Sequence, residues 1–202
     1  MATREERKAQ TRERLLDAAR GVFAARGFHA ASVDEIADAA GFSSGALYSN
    51  FDGKEDLFLE LLRRELGAQA LAVERAVGHP DTIAERARAG AAEWMTFVER
   101  EPSLLMLVVE FWAYAARDPD VRPKVAAHFA EVRAVMTRLI VDGARELGLE
   151  LLLPPEQLAI AIDALAEGIA RQQLTDPAAV DEHLLADSVS ILIAGASRPR
   201  GS

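Results

Sequence analysis

The sequence predicts an all-α protein, and three observations lead to that class. Apolar residues recur at helical spacing along almost the whole chain. Capping residues precede most of these segments, and Gly or Pro follows them. Only residues 104–109 and 149–153 resemble strands; the first run lies in Ala-rich helical sequence, and the second is too isolated to make a sheet. We expect about nine helices, arranged as an N-terminal three-helix head and a C-terminal helical bundle.

The first three helices are predicted from their apolar faces and caps. The first has its apolar stripe between Leu15 and Phe23 and is expected to stop at Gly27. Ser32 and Glu35 have capping-box spacing for the second, which ends at Gly41. Ser43 is then the expected N-cap of a short third helix over about 44–51.

The later helices follow the same rules. Asp52 with Glu55 predicts a capping box for a helix that breaks at residues 78–80. Further helices are expected over about 82–100, 102–118, 120–148, 156–174 and 178–196, with Thr82 and Asp120 as caps. The tail, residues 197–202, is expected to be flexible.

Composition narrows the class of protein. The 202 residues are 50% hydrophobic and 27% charged, as in folded globular proteins. The chain has no Cys, which excludes disulfides, thiolate metal sites and Cys nucleophiles. No apolar run is long enough for a membrane span, and the charged N-terminus is unlike a secretory signal. We therefore expect a cytoplasmic protein with no membrane partner.

Charge is distributed unevenly along the chain. Residues 1–54 carry eight basic and eight acidic side chains, and the other 15 basic and 24 acidic residues lie beyond them. The net charge of −9 therefore lies outside the N-terminal quarter. This balance argues against a non-specific nucleic-acid coat, but it allows a DNA reader with a neutral head.

Residues 32–51 carry the most informative pattern, two short capped helices joined by a tight turn at Gly41. This is the helix-turn-helix pattern. The third helix divides into an apolar side, Ala46, Leu47 and Phe51, and a polar side, Ser44, Gly45, Tyr48 and Ser49. Small residues allow close approach to a groove, and hydroxyls can contact bases or phosphates. On spacing alone, ordinary caps and surface residues remain an equal alternative.

The residue string strongly favours DNA binding over this alternative. Residues 41–58, GFSSGALYSNFDGKEDLF, resemble the recognition segment of the tetracycline-repressor (TetR) family, and the resemblance extends over about residues 8–60. It implies an all-α homodimer in which each subunit has a DNA-binding head at 1–52, a connecting helix at 53–79 and a ligand-binding and dimerisation domain at 80–196. It also implies a double-stranded operator and a small-molecule effector as partners.

The same resemblance implies roles for individual residues. Ser32 would contact the DNA backbone, and Tyr48 and Lys54 would anchor phosphates. Base edges would be met at the start of the third helix, with Ser49 facing the groove; the residues at that start are Ser43, Ser44, Gly45 and Ala46. Asn50 stands where many relatives have His, so a DNA contact at this position rests on a different side chain.

A ligand pocket is expected in residues 80–175, where aromatic and Met side chains concentrate. Such residues at helical spacing are more often ordinary core. The proposed lining residues are Trp94, Phe97, Met106, Glu110, Phe111, Tyr114 and Phe129. A surface position for Glu110 is about as compatible with the sequence, and His128, Arg133 and Gln172 are further polar candidates.

The last two helices carry stripes of small and apolar residues suited to a dimer interface or to packing within one subunit. The proposed interface residues are Leu165, Gly168, Ile169, Leu185, Val189 and Leu192. Two heads must reach successive major grooves about 34–36 Å apart, so DNA binding favours the dimer.

Other classes have less support in the sequence. No metal-site or phosphate-loop motif is present, and no metal or cofactor is expected. Two alternatives remain: a helical enzyme that uses a buried carboxylate such as Glu110, and a helical adaptor that has lost DNA binding. We favour the interpretation that the protein is a ligand-responsive repressor, which a small molecule releases from a palindromic operator.

Overall fold

The computed structural model describes residues 3–78 and 81–200. Within these ranges the chain forms nine α-helices, one 3-10 turn and two short strands, which confirms the all-α class. No helix in the described part of the chain is both long and apolar enough to cross a bilayer. The chain divides into two compact units, each of which is formed by two separate stretches of sequence.

The first unit, called the head unit here, combines the chain up to Leu66 with Ser103–His128. It contains α1 (Arg4–Ala30), α2 (Val33–Ala40), α3 (Ser44–Tyr48), the first half of α4 (Lys54–Val77) and nearly all of α6 (Pro102–Ala115). The expected domain boundary at 52/53 separates the DNA-binding residues from the connecting helix, whereas the packing unit extends to Leu66. The functional boundary stays a proposal. The boundary at 79/80 lies outside the described residues.

Aromatic side chains fill the core of the head unit. Phe23, Phe28, Phe58 and Phe111 are each at most 1% exposed, and their ring centroids are 4.5–5.9 Å apart where they touch. Burying rings of this size removes a large apolar area from water and favours edge-on contacts. This cluster fixes α1, α4 and α6 against one another.

The second unit, called the C-terminal unit, comprises Gly67–Pro102 and residues from Phe129 onward. It contains α5 (Ile83–Arg100), most of α7 (Arg122–Glu146), α8 (Pro155–Thr175) and α9 (Leu184–Gly195). Its core cluster consists of small and aliphatic side chains on α5 and α9, with residues of α8 packed against it. The buried members are Ala87, Ala91, Leu185, Ala186 and Val189.

A small antiparallel ribbon corrects the expected C-terminus. Strand β1 (Leu149–Leu151) pairs with β2 (Ser197–Pro199), with Glu150 opposite Arg198. The prediction that 149–153 is too isolated for a sheet was wrong, because its partner comes from the supposed flexible tail. The last helix also begins at Leu184 rather than at 178, after a 3-10 turn at Pro177–Ala179. Residues 201–202 lie outside the described part.

The helix caps were predicted with mixed success. Ser32, Ser43 and Thr82 each accept a backbone N–H three residues later, as expected. The Asp52–Glu55 capping box is absent, because the Asp52 N–H donates to Asp56 Oδ2 instead. Asp120 is likewise not the cap of α7. The Asp118 carboxylate accepts the N–H groups that follow it, and these bonds lower its pKa.

Candidate nucleic-acid interface

Helices α2 and α3 form a helix-turn-helix whose turn depends on Gly41. This residue has φ of +75°, a left-handed conformation that favours glycine, and the Phe42 N–H returns to the Ala37 carbonyl at 2.9 Å. The Leu47 side chain of α3 is fully buried and Phe51 is 2% exposed, as the apolar side of the predicted third helix requires. The helix is shorter than expected, since α3 ends at Tyr48.

Two arginines of α1 hold this motif in place. Arg12 Nη1 donates to the Asn50 carbonyl at 2.6 Å, and its guanidinium lies 4.2 Å from the centre of the Phe51 ring. Arg14 Nη2 donates to the Ala40 carbonyl at 3.0 Å. Sequence reasoning missed both residues, because nothing local marks an arginine whose partners lie 26 and 38 positions away.

The polar side of α3 is open. The Tyr48 side chain is 59% exposed, and a Cβ added to Gly45 would have only the Ser43 hydroxyl within 4 Å. Ser44 Oγ donates to the Asp34 carboxylate of α2, so this hydroxyl can contact DNA mainly as an acceptor. The surface is therefore small, mostly neutral and accessible, with one aromatic hydroxyl projecting from it.

Two of the residues expected to contact DNA use their side-chain hydrogen-bond donors within the protein. Ser49 Oγ and Asn50 Nδ2 both donate to the Ala46 carbonyl at 2.8 Å. The Asn50 amide oxygen is buried without a hydrogen bond. Ser49 remains exposed and Asn50 is half-buried. Of this pair, Ser49 is therefore the one with a side chain on the open surface.

Lys54 closes the end of α1. Its ammonium donates to the carbonyls of His29 at 3.2 Å and Ala31 at 3.0 Å, and it lies 4.7 Å from the centre of the Phe28 ring. An ammonium has three N–H donors, so one remains for a phosphate. The residue thus has a structural contact that the sequence did not indicate.

The residues expected to line one ligand pocket belong to different units. Met106, Glu110, Phe111 and Tyr114 lie in the head unit, whereas Trp94, Phe97 and Phe129 lie in the C-terminal unit. Phe111 is part of the buried ring cluster, and Met106 is 60% exposed. Phe111 is therefore a core residue of the head unit, and a single pocket in residues 80–175 stays a prediction.

Glu110 and Tyr114 do share a cleft of about 320 Å³ within the head unit. Both already have partners there: Glu110 accepts two backbone N–H groups of α1, and the Tyr114 hydroxyl contacts Glu55 and Asp118, each at 3.3 Å. Burial and the nearby Glu55 raise the pKa of Tyr114 to about 12. Internal hydrogen bonding therefore explains these two polar groups.

Ionisable groups partly removed from water lie in the C-terminal unit. Burial raises the pKa of Asp163 on α8, and the positive charge of Arg133 on α7 opposes that shift. Burial also raises the pKa of Glu167, one turn further along α8, and the Asp163 charge adds to it. In the same unit, the Trp94 indole donates to the Ala166 carbonyl of α8 at 3.2 Å. Among the residues that the structure describes, no group of acids and histidines is placed to hold a metal ion.

The expected interface residues lie mainly inside the subunit. Leu185 and Val189 are buried in the C-terminal core, and Leu165 and Ile169 pack against it; Leu192 is half-buried. Leu185 and Val189 are therefore core positions, whereas an interface role for the half-buried Leu165, Ile169 and Leu192 stays a prediction. Gly168 differs, because a Cβ placed there would meet nothing within 4 Å. The exposed apolar side of α8 and α9 includes Ile160, Leu184 and Ile191.

Sequence comparisons agree with this architecture. The family model for bacterial regulatory proteins of the tetR family matches residues 15–61, and the model for the C-terminal domain of BetI-type transcriptional repressors matches residues 83–195. The transcriptional activator FasR of Mycolicibacterium smegmatis is 32% identical over 180 residues, which cover 89% of this chain and 77% of FasR. The repressor KstR2 of Rhodococcus jostii is 52% identical over 56 residues, 28% of each chain.

Solved structures share the fold. A putative TetR-family regulator from Rhodococcus sp. aligns with a TM-score of 0.73 at 20% identity, over 93% of this chain and 98% of that one. FadR from Bacillus subtilis, solved with stearoyl-CoA, aligns with a TM-score of 0.70 at 18% identity, over 91% and 98%. With the head and most of the remaining chain matched by its models, the protein belongs to the tetR family of bacterial regulatory proteins and is a helix-turn-helix transcriptional regulator.

Proposed function

We propose that a homodimer of this chain binds a palindromic operator, represses transcription there, and leaves the DNA when a small molecule binds. The observation that carries the DNA-binding part is the open polar side of α3, with Leu47 buried behind it and Tyr48 projecting from it. A helix held this way can enter a major groove with its backbone close to the base edges, because Gly45 adds no side chain.

Phosphate contacts would flank the reading helix. Tyr48 is exposed, Ser32 is the N-cap of α2, and the free donor of Lys54 lies at the start of α4. Backbone contacts of this kind fix the register of the protein on DNA without reading sequence. Base contacts would come from Ser43, Ser44, Gly45, Ala46 and Ser49. Because several of these residues are small, part of the specificity is assigned to DNA shape.

Selection of bound duplexes from a random pool tests the central proposal. The expected product is a palindrome whose half-sites lie one helical turn, about 10 base pairs, or a multiple of it apart. Retention of every sequence equally would instead support the adaptor alternative. Failure to retain any duplex in dilute buffer would overturn the proposal.

Matched substitutions test the phosphate contacts. Tyr48→Phe and Lys54→Ala should each weaken binding to all sequences about equally and reduce the slope of log K against log salt, by about one for the lysine. Tyr114→Phe and Lys124→Ala are the controls, since these residues lie outside the proposed interface. Affinity and salt dependence that stay unchanged in the test variants would remove both roles.

The exposed stripe of α8 and α9 is the proposed dimer face. It contains Ile160, Ala164 and Gly168 on α8 and Leu184 and Ile191 on α9, and Ile191 is 73% exposed. A second copy would bury these apolar side chains, and the open space at Gly168 would let a partner helix approach closely.

Sedimentation of one charge-introducing variant tests this face. Ile191→Glu should dissociate the dimer, because pairing would bury an uncompensated carboxylate on each subunit. Leu152→Glu introduces the same charge at an exposed leucine outside the stripe and should remain dimeric. A wild-type protein that sediments as a monomer, or an Ile191→Glu variant that stays paired, would exclude this interface.

The effector is assigned to the C-terminal unit. Partly buried carboxylates cost folding energy unless a partner offsets them. Arg133 and Arg171 offset this cost only in part, because the pKa values of Asp163 and Glu167 remain raised. Together with Trp94 on α5, these carboxylates support a site for an apolar molecule that carries positive charge. The effector releases DNA by binding better to the conformer of low operator affinity.

Thermal stability with two opposite probes tests the effector class. Tetraphenylphosphonium, an apolar cation, should raise the melting temperature and release the selected duplex, and Asp163→Asn should weaken both effects. Stearoyl-CoA, the ligand of the structurally similar FadR, carries negative charge and should do neither. Stabilisation by stearoyl-CoA alone would overturn the assignment of a cationic ligand.

A further inference from the structure

The break in α1 places two backbone N–H groups against a carboxylate from another helix. Gly27 has φ of +75° and ψ of 166°, so the regular helix stops there and resumes for one turn. In an unbroken helix the next two N–H groups would bond carbonyls four residues earlier. Here Phe28 N donates to Glu110 Oε2 and His29 N donates to Glu110 Oε1, each at 3.0 Å.

Gly27 and Glu110 fit each other sterically. A Cβ on residue 27 would lie 3.0 Å from Glu110 Oε2 and 3.4 Å from Oε1. The positive φ also favours glycine at this position. Any other side chain would therefore both strain the backbone and displace the carboxylate, so the break and its acceptor depend on one another.

The short segment after the break is held from both ends. Glu110 of α6 accepts its N–H groups, and Lys54 of α4 donates to its carbonyls at His29 and Ala31. Ser32 follows directly and is the N-cap of α2, where its hydroxyl accepts the Glu35 N–H at 3.1 Å. The direction in which the chain enters the helix-turn-helix is thus fixed by one anion and one cation from two other helices.

We infer that Glu110 is a positioning residue for operator binding, which holds the entry into α2 and thereby the angle at which α3 meets DNA. The residue touches no DNA; it acts through residues 28–31. The inference rests on the operator binding proposed above. It also gives α6 a part in the DNA-binding half of the molecule, in agreement with its packing in the head unit.

The test uses Glu110→Gln and Glu110→Ala in the full-length protein. Glu110→Ala loses both charge-assisted hydrogen bonds and Glu110→Gln keeps at most one neutral one, so the affinity for the selected duplex should fall about tenfold or more. Binding to random duplex should change little, since the phosphate-contacting side chains are untouched. The measured quantity is the ratio of the two affinities, taken at a temperature where circular dichroism shows each variant folded.

The ratio separates positioning from stability. A purely structural role would lower both affinities by the same factor, through loss of folded protein, and would leave the ratio unchanged. Asp118→Asn is the matched control, because that carboxylate also accepts two backbone N–H groups in the head unit, at 2.9 and 3.1 Å, but at the start of α7. Its ratio should equal that of the wild type.

Failure of the Glu110 inference can be distinguished from failure of the proposed operator binding. Wild-type protein that selects no duplex overturns the operator proposal itself. Wild-type selectivity together with an unchanged ratio in both Glu110 variants overturns only the positioning role. If Glu110→Ala does not fold, Glu110→Gln, which keeps the shape and one acceptor oxygen, still decides the question.

Discussion

The two units differ in what fills them. The head unit is centred on four aromatic rings, with Phe28 and Phe111 4.7 Å apart and Phe58 and Phe111 4.5 Å apart. The buried members of the C-terminal cluster are three alanines, one leucine and one valine, with larger side chains such as Trp94 and Met95 only partly buried against them. The same unit contains carboxyl groups partly removed from water. Interlocked rings have few alternative packings. A core whose buried side chains are small loses less packing energy when it rearranges.

This contrast matches the division of labour expected of a regulator. A DNA-binding surface needs fixed geometry, and a unit that changes conformer with a ligand needs several states of similar free energy. We therefore expect amides in α1 and α4 before Leu66 to exchange hydrogen more slowly than those in α8 and α9. The substitutions below test the contrast in order of decreasing effect.

Removing one central ring should have the largest effect. Phe58 is fully buried and contacts three other rings, so Phe58→Ala should lower the free energy of unfolding by about 3–5 kcal/mol. Denaturant unfolding measures the loss. Val189→Ala in the C-terminal cluster removes a smaller side chain and is the comparison. Equal losses in the two variants would contradict the contrast between the cores.

Two glycines of α1 should respond oppositely to alanine. Gly27→Ala should cost about 1–3 kcal/mol, because a Cβ there meets the Glu110 carboxylate in a left-handed conformation. Gly21 lies in regular helix with nothing within 4 Å of an added Cβ, so Gly21→Ala should stabilise by about 0.5–1 kcal/mol. Thermal melts of both variants measure the difference, and changes of the same sign would refute it.

The partly buried acids Asp163 and Glu167 of the C-terminal unit should make stability depend on pH. Their folded-state pKa values are raised, so the wild type should gain stability as pH falls from 7 through those values and lose it as pH rises. Asp163→Asn should be more stable than the wild type at pH 7, and the difference should shrink as the pH falls toward the ordinary pKa of an aspartate carboxyl, about 4. A constant difference across this range would show that ionisation of Asp163 is not responsible.

The smallest effect is expected at the ribbon. Arg198 donates to both carboxylate oxygens of Glu150 at 3.0 Å, and this pair lowers the pKa of Glu150. Both residues are exposed, so Glu150→Gln should lower the melting temperature slightly in dilute buffer and not at all in concentrated salt. A loss that persists at high salt would indicate a role beyond charge pairing.

Local sequence signals predicted the elements of the fold well. The caps at Ser32, Ser43 and Thr82 and the burial of Leu47 follow from neighbours within one or two helical turns. Gly27 was expected to stop α1 and does break it. These features depend on backbone hydrogen bonds and periodicity, which a short window of sequence contains.

Features that depend on distant partners could not be predicted in this way. The partners of Glu110 lie 81 and 82 positions away, and β1 has no sign in its own sequence of the strand that pairs with it. Apolar periodicity showed that α8 and α9 each have an apolar face. It could not assign Leu185 and Val189 to the core and Ile191 to the outside, because both sides of α9 are apolar.

The β1–β2 ribbon also constrains the order in which parts of the chain can fold during synthesis. Glu150 and Arg198 are 48 positions apart, so β2 leaves the ribosome only after the whole of α8 and α9. The first unit has all of its segments once residue 128 has been synthesised, well before this closure is available. During translation the head unit can therefore complete its packing before β2 is available to pair with β1.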